Sequence, residues 1–106
     1  MPIQKRYQAV IRQFAHLAHE RYPHQIEKII LYGSVARGDA GPDSDIDLLV
    51  LWKGNEREGW RAMTGIAFDL MVNTGYYLSV KVMGADTFSG SPGFEQNVMR
   101  EGITVA

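Results

Sequence analysis

Apolar and polar residues follow each other along this chain in two periods, one helical and one extended. Between Ile3 and Pro23, apolar side chains recur three or four positions apart, which predicts an amphipathic helix. Pro2 is well placed to open this helix, and Pro23 is a residue at which it must end. The short β-branched run from Ile26 to Gly33 then predicts the first strand. The apolar positions of the helix are Tyr7, Val10, Ile11, Phe14, Leu17 and Ala18.

The segment "DIDLLVLW", Asp45 to Trp52, predicts a second strand. It is apolar on both faces beyond Asp47, which is typical of a central strand. Residues Glu56 to Thr74 predict a helix that stops at Gly75. The apolar stripe of this helix consists of Trp60, Met63, Ala67, Leu70 and Met71.

The segment "YYLSVKVM", Tyr76 to Met83, predicts a third strand whose side chains alternate between two faces. One face carries Leu78, Val80 and Val82, and the other carries Tyr77, Ser79, Lys81 and Met83. The segment "GADTFSGSP" is predicted to be a loop, "GFEQNVMREG" a short helix, and "ITVA" a last strand or tail. A further short helix is predicted over Val35 to Arg37. This order of elements predicts an α/β (α+β) fold, a mixed sheet of about four strands with helices packed on one side.

The overall composition narrows the functional classes. With 106 residues, the chain is expected to form a single domain, residues 1–106. A formal net charge of −1 argues against broad nucleic-acid binding, which needs a basic surface. No cysteine is present, so disulfide and thiol chemistry are excluded. Neither a signal peptide nor a membrane span is evident, and we expect a cytoplasmic protein without membrane contact.

Two carboxylates stand at the start of the predicted central strand. Asp45 and Asp47 are two residues apart, so on a strand they point to the same face and repel each other. A cation between them would relieve this repulsion, and carboxylate oxygens suit Mg²⁺. In the alternative interpretation, the two acids are simply solvated residues at the boundary between a loop and a strand.

A Gly-Ser pair follows the first predicted strand. Gly33 would let backbone N–H groups approach an anion ahead of a predicted short helix, whose start also favours negative charge. The Ser34 hydroxyl can donate a hydrogen bond to a phosphate oxygen. Taken alone, a Gly-Ser pair is an ordinary turn.

The two features together form the pattern G-S-x10-D-x-D, which ordinary residue frequencies rarely produce. The stretch "GSVARGDAGPDSDIDLLV" resembles the signature of the DNA polymerase β-type nucleotidyltransferase superfamily. Within it, the chain resembles the minimal nucleotidyltransferases, the MNT domains often paired with a helical HEPN-domain toxin. The resemblance implies a nucleotidyltransferase-like fold.

The resemblance also implies roles for individual residues. Gly33 and Ser34 match the turn that contacts phosphate, and Asp45 and Asp47 match the carboxylates that hold Mg²⁺. The implied reaction moves a nucleoside monophosphate from a nucleoside triphosphate, ATP foremost, to a hydroxyl and releases pyrophosphate. The implied acceptor is a partner protein, such as a tyrosine of a HEPN-type protein in a toxin–antitoxin pair.

Arg37 lies in the run "ARGD", which follows Gly-Ser in many members of the superfamily. Its guanidinium group fits phosphate oxygens, so it is a candidate nucleotide contact. It could equally form a structural ion pair with Asp39 or Asp43. The sequence alone leaves both roles open.

The pattern departs from the superfamily at the third predicted strand. Active members usually carry a third carboxylate there, facing the first two. Ser79 occupies the most comparable position, Lys81 is the other candidate on that face, and Asp86 just beyond the strand is a candidate substitute. Nucleotide binding is expected to survive this departure better than catalysis. The alternative function is therefore a catalytically degenerate antitoxin or regulatory subunit that acts by protein binding.

Overall fold

The computed structural model describes residues 3–106, so the predicted role of Pro2 lies outside the described residues. The order of its elements follows the predicted order, with one extra short helix. The elements are α1 (Lys5–Arg21), β1 (Ile26–Tyr32), α2 (Gly33–Arg37), β2 (Ile46–Trp52), α3 (Glu56–Thr74), β3 (Leu78–Met83), α4 (Ala85–Ser89), α5 (Pro92–Glu101) and β4 (Ile103–Thr104).

The four strands form one mixed sheet in the order β3-β2-β1-β4. Strand β1 is antiparallel to both β2 and β4, whereas β2 and β3 run parallel. A parallel pair needs a long crossover connection, and α3 provides it. The α/β class and the mixed four-stranded sheet are therefore confirmed.

Helices cover both faces of the sheet, so the prediction that they pack on one side is wrong. Leu48 and Val50 of β2 belong to a core cluster with residues of α1 and α3. Leu49 and Leu51 point the other way, into a smaller cluster that includes Phe88 of α4. Because β2 is apolar on both faces, each face needs a cover. The short α4 lies in the segment predicted as a loop, and α5 joins it on this second face.

Helix α3 has the predicted bounds, but its buried stripe is rotated by one residue. Its N-cap is Asn55, whose side chain accepts a hydrogen bond from the Glu58 N–H at 3.1 Å. Gly59 lies against the Trp52 ring, where an added Cβ would come within 2.6 Å of Trp52 Cδ2. Trp60, predicted to belong to the stripe, is 52% exposed. The buried residues of α3 are Gly59, Met63, Ile66, Ala67 and Leu70.

The last strand, β4, is only two residues long and pairs with Ile30 and Leu31 of β1. It confirms the strand alternative for the segment "ITVA". Within residues 3–106, none of the helices combines the length and the apolar character that crossing a bilayer requires.

Candidate functional site

The Gly33 turn brings the two halves of the sequence motif together. Gly33 begins α2 with φ of +77°, a backbone conformation that side-chain-bearing residues rarely adopt. A Cβ added at this position would overlap Asp47 Oδ2 and lie 3.1 Å from Asp47 Cγ. The backbone of Gly33 therefore packs directly against the Asp47 carboxylate, and glycine is required for both its conformation and its size.

Ser34 follows in the same turn and is half-buried. Its carbonyl oxygen accepts hydrogen bonds from the N–H groups of Gly38 and Asp39, at 3.0 and 3.1 Å. These bonds close the short helix α2. Among residues 3–106, the Ser34 hydroxyl makes no side-chain hydrogen bond, so it is available to a ligand at this turn.

Asp47 lies in the middle of a row of three paired strand residues. Its partner on β1 is Tyr32, and its partner on β3 is Ser79. Asp45 stands one residue before β2 begins and is exposed, whereas Asp47 is half-buried. Burial raises the pKa of Asp47, and the negative charge of Asp45 raises it further. The ionised form of Asp47 is thus disfavoured in the folded chain.

These two carboxylates fit a Mg²⁺ ion by the chemistry of their oxygens. No hydrogen bond or ion pair within residues 3–106 satisfies either side chain. Mg²⁺ commonly takes one or two protein carboxylates and fills its other positions with water and substrate phosphate. Within the same described range, no group of three or more His, Cys, Asp or Glu residues could hold a metal. The fit is therefore to a metal shared with a bound phosphate rather than to a cage made by the protein alone.

Arg37 forms the ion pair that the sequence left open, with a second partner that the sequence did not reveal. Its Nε donates to Asp39 Oδ2 at 3.2 Å, and its Nη1 donates to Glu101 Oε1 at 3.3 Å. Hydrogen bonds to Asp39 and then to Glu101 raise the pKa of Arg37. The alternative partner Asp43 is not engaged in this pair. The guanidinium group is exposed, so the pair mainly orients the side chain and adds little stability.

The register of β3 places Ser79 opposite Asp47, as expected for the position of the missing third carboxylate. Lys81 lies on the same face, two residue pairs further along, opposite Leu49. Asp86, the candidate substitute, lies beyond the end of β3 that is remote from Asp47. Because β3 runs parallel to β2, its end at Met83 lies beside Leu51, four residues and roughly 13 Å from Asp47 along the strand. Asp86 follows that end, in the first turn of α4.

Aromatic residues line the site next to Asp47, and sequence reasoning missed them. Tyr32 is half-buried, and burial followed by the charge of Asp47 raises its pKa to about 12. The Tyr32 ring meets the Phe94 ring edge to face, with centroids 5.6 Å apart. The only sequence signal for Tyr32 is its position directly before the Gly-Ser turn. Phe94 and Glu101 come from α5, and no local pattern links that helix to the motif.

The sheet carries a Gly-Ser turn packed against an Asp-x-Asp strand, which is the arrangement expected of a nucleotidyltransferase. Comparison with known protein families supports the same class of protein. A family model described as the nucleotidyltransferase domain matches residues 11–100. This chain therefore belongs to the nucleotidyltransferase domain family.

Individual relatives point the same way. The chain is 30% identical over 94 residues to MJ0604 of Methanocaldococcus jannaschii, which is named as a candidate protein adenylyltransferase. The alignment covers 87% of this chain and 90% of the relative. A crystal structure of a candidate nucleotidyltransferase from Sulfolobus solfataricus superimposes with a TM-score of 0.64 at 18% identity, covering 93% of this chain and 78% of that one.

A toxin–antitoxin structure determined with AMP-PNP also superimposes with a TM-score of 0.64. The identity is 20%, and the match covers 90% of this chain and 72% of that chain. At these identities, the two structural matches establish the shared fold.

Proposed function

We propose that this domain transfers AMP from ATP to a hydroxyl group of a partner protein in a Mg²⁺-dependent reaction. The observation that carries the proposal is the contact of the Gly33 turn with the Asp47 carboxylate, beside Asp45. The relative named as a candidate protein adenylyltransferase supports AMP as the group and protein as the acceptor. The toxin–antitoxin structure with AMP-PNP supports an adenine nucleotide and a protein partner.

Each proposed residue has a physical task. Asp45 and Asp47 would hold Mg²⁺, which supplies a charge that stabilises the developing negative charge on the phosphates. The Gly33 turn and the Ser34 hydroxyl would hold phosphate oxygens through hydrogen bonds. Arg37, oriented by Asp39 and Glu101, would add a guanidinium contact to phosphate.

The reaction that these groups would support is an in-line displacement at the α-phosphorus. The acceptor oxygen forms a bond to that phosphorus, and the bond from phosphorus to the bridging oxygen of the β-phosphate breaks. Pyrophosphate leaves with the electron pair of the broken bond, and the proton of the hydroxyl passes to solvent. No carboxylate of β3 is placed to take that proton, because the position opposite Asp47 is Ser79.

An exposed apolar surface supports the protein partner. Trp60, Phe68 and Val72 of α3 are each more than half exposed, and so is Tyr77, which follows the helix. Phe68 and Tyr77 line one shallow cavity, and Trp60 and Tyr77 line the next. Large exposed apolar areas of this kind are typical of protein interfaces. We propose a small helical protein of the HEPN type as the partner.

The proposal is tested by label transfer from α-³²P-ATP in a lysate of the source cell supplemented with purified protein and Mg²⁺. Wild type should label one protein band, and the Asp45→Asn, Asp47→Asn double variant should label none. A parallel reaction with γ-³²P-ATP should show no band beyond those of the same lysate without the added protein, because the γ-phosphate leaves within pyrophosphate. Label from γ-³²P-ATP alone would indicate phosphate transfer and contradict the proposal.

A second candidate function is inhibition of the partner by contact, without catalysis. The observation that favours it is the serine opposite Asp47, where active members of the superfamily usually carry an acid. In that case the double variant would bind and inhibit the partner as well as wild type does, and no band would be labelled. Retained inhibition together with absent label would select this second function.

A further inference from the structure

Lys81 is a cation on the face of the sheet that carries Asp47, and in the described part of the chain it has no ion-pair partner. It lies on β3, on the same face as Ser79 and Asp47 and two residue pairs further along the sheet. Its ammonium group sits above the Phe94 ring, with Nζ 5.0 Å from the ring centroid. Within residues 3–106, no ion pair is formed by Lys81.

The other cation near Asp47 is Arg37, and it already has partners. The Arg37 guanidinium is already bonded to Asp39 and Glu101. Two carboxylates thus partner Arg37, whereas Lys81 lies over an aromatic ring and forms no ion pair within residues 3–106. The ammonium group of Lys81 therefore keeps its hydrogen-bond donors for an incoming anion.

The charge of a lysine side chain at this position favours one class of ligand over another. An ammonium group repels a metal ion and attracts phosphate oxygens, to which it binds as a point charge. The contact with Phe94 holds the long side chain near the ring, which reduces the conformational freedom lost when an anion binds.

We propose that Lys81 binds the polyphosphate of the nucleotide, the β- and γ-phosphates, across the site from the Gly33 turn. The inference rests on the proposed function, because it names how that same site recognises its donor. It makes the site selective for a triphosphate over a monophosphate. It also explains how a site with two carboxylates and no third acid on β3 could still hold a highly charged donor.

The experiment measures dissociation constants by calorimetry for ATP, AMP and inorganic tripolyphosphate, each with and without Mg²⁺. The variants are Lys81→Met, which keeps the length and the contact with Phe94 but removes the charge, and Lys81→Arg, which restores a cation. Lys53→Met is the matched control, because Lys53 is an exposed lysine directly after the opposite end of β2. Melting temperatures of all four proteins should agree, since Lys81 and Lys53 are exposed.

For Lys81→Met we expect about a tenfold weaker affinity for ATP and for tripolyphosphate, as loss of one charge-assisted contact predicts, with AMP binding unchanged. Lys81→Arg should recover most of the affinity, and Lys53→Met should match wild type. Equal ATP affinity in Lys81→Met and wild type would overturn the inference and leave the proposed transfer of AMP standing. An equal loss for AMP would also overturn it. Wild type that binds no ATP would remove the proposed function and this inference together.

Discussion

Replacing Gly33 with alanine separates damage to the site from damage to the fold. The substitution adds one methyl group at a residue with φ of +77°, and that group would overlap the Asp47 carboxylate. Gly75 offers a matched control, because its φ is +81° and nothing lies within 4 Å of an added Cβ. Both variants carry the same backbone strain, but only one of them disturbs Asp47.

The magnitude follows from the backbone and from the freedom of the Asp47 side chain. A left-handed conformation costs a residue with a Cβ about 1–2 kcal/mol, so both variants should lose roughly that amount of unfolding free energy. In a domain of this size, each kcal/mol lowers Tm by roughly 4–8 °C. Asp47 is only half-buried, so its carboxylate can rotate away from the new methyl group without a further large loss of stability.

The expected difference is therefore in function. A displaced Asp47 no longer stands beside Asp45, and a shift of about 1 Å in a site of this kind commonly lowers rates by about a hundredfold. Gly33→Ala should lose label transfer from α-³²P-ATP by that factor, whereas Gly75→Ala should retain it at a temperature where both are folded. Equal activity of the two variants, at equal Tm, would refute the reasoning that the Gly33 contact builds the site.

Three further predictions concern single residues. The pKa of Asp47 is higher in the folded chain than its ordinary value of 3.8, so ionisation of this group destabilises the fold as pH rises through the raised pKa. In EDTA at pH 7, Asp47→Asn should therefore have a higher Tm than wild type, and the difference should vanish below pH 3.8. A lower Tm of the variant would contradict the burial argument. Asp86→Asn should leave label transfer unchanged, because Asp86 follows the end of β3 remote from Asp47; a large loss would show that it reaches the site. Asn55→Ala should lower the unfolding free energy in a urea titration by about 1 kcal/mol through loss of the α3 cap, with Asn55→Asp as the conservative control that keeps a capping oxygen.

Most of the fold could be predicted from local patterns in the sequence. The bounds of α3 are those predicted, because a helical apolar period runs through the segment and a terminal glycine directly follows it. The central position of β2 followed from its apolar run, and its place between β1 and β3 agrees. The segment that forms α4 is dominated by residues that favour turns, and Phe88 is its one buried side chain. A single apolar anchor produces no helical period that could be read from the sequence.

Non-local contacts account for what the sequence did not reveal. The resemblance of the G-S-x10-D-x-D pattern to the nucleotidyltransferase signature implied a shared site for Gly33 and Asp47, but the antiparallel register that sets Tyr32 beside Asp47 is a property of the assembled sheet. The bond from Arg37 to Glu101 joins residues 64 positions apart. Helices appear on both faces because α4 and α5 return across the sheet after β3, a path that no local signal specifies.

The most direct test of the central claim is the fate of the α-phosphate of ATP when the purified chain meets its partner protein with Mg²⁺. The account predicts that the partner gains the α-label, that intact-protein mass spectrometry finds the mass of one AMP per modified site, and that Asp45→Asn with Asp47→Asn abolishes both. A partner that stays unlabelled with wild type, while binding it as tightly as it binds the double variant, would contradict catalysis and leave inhibition by contact as the function.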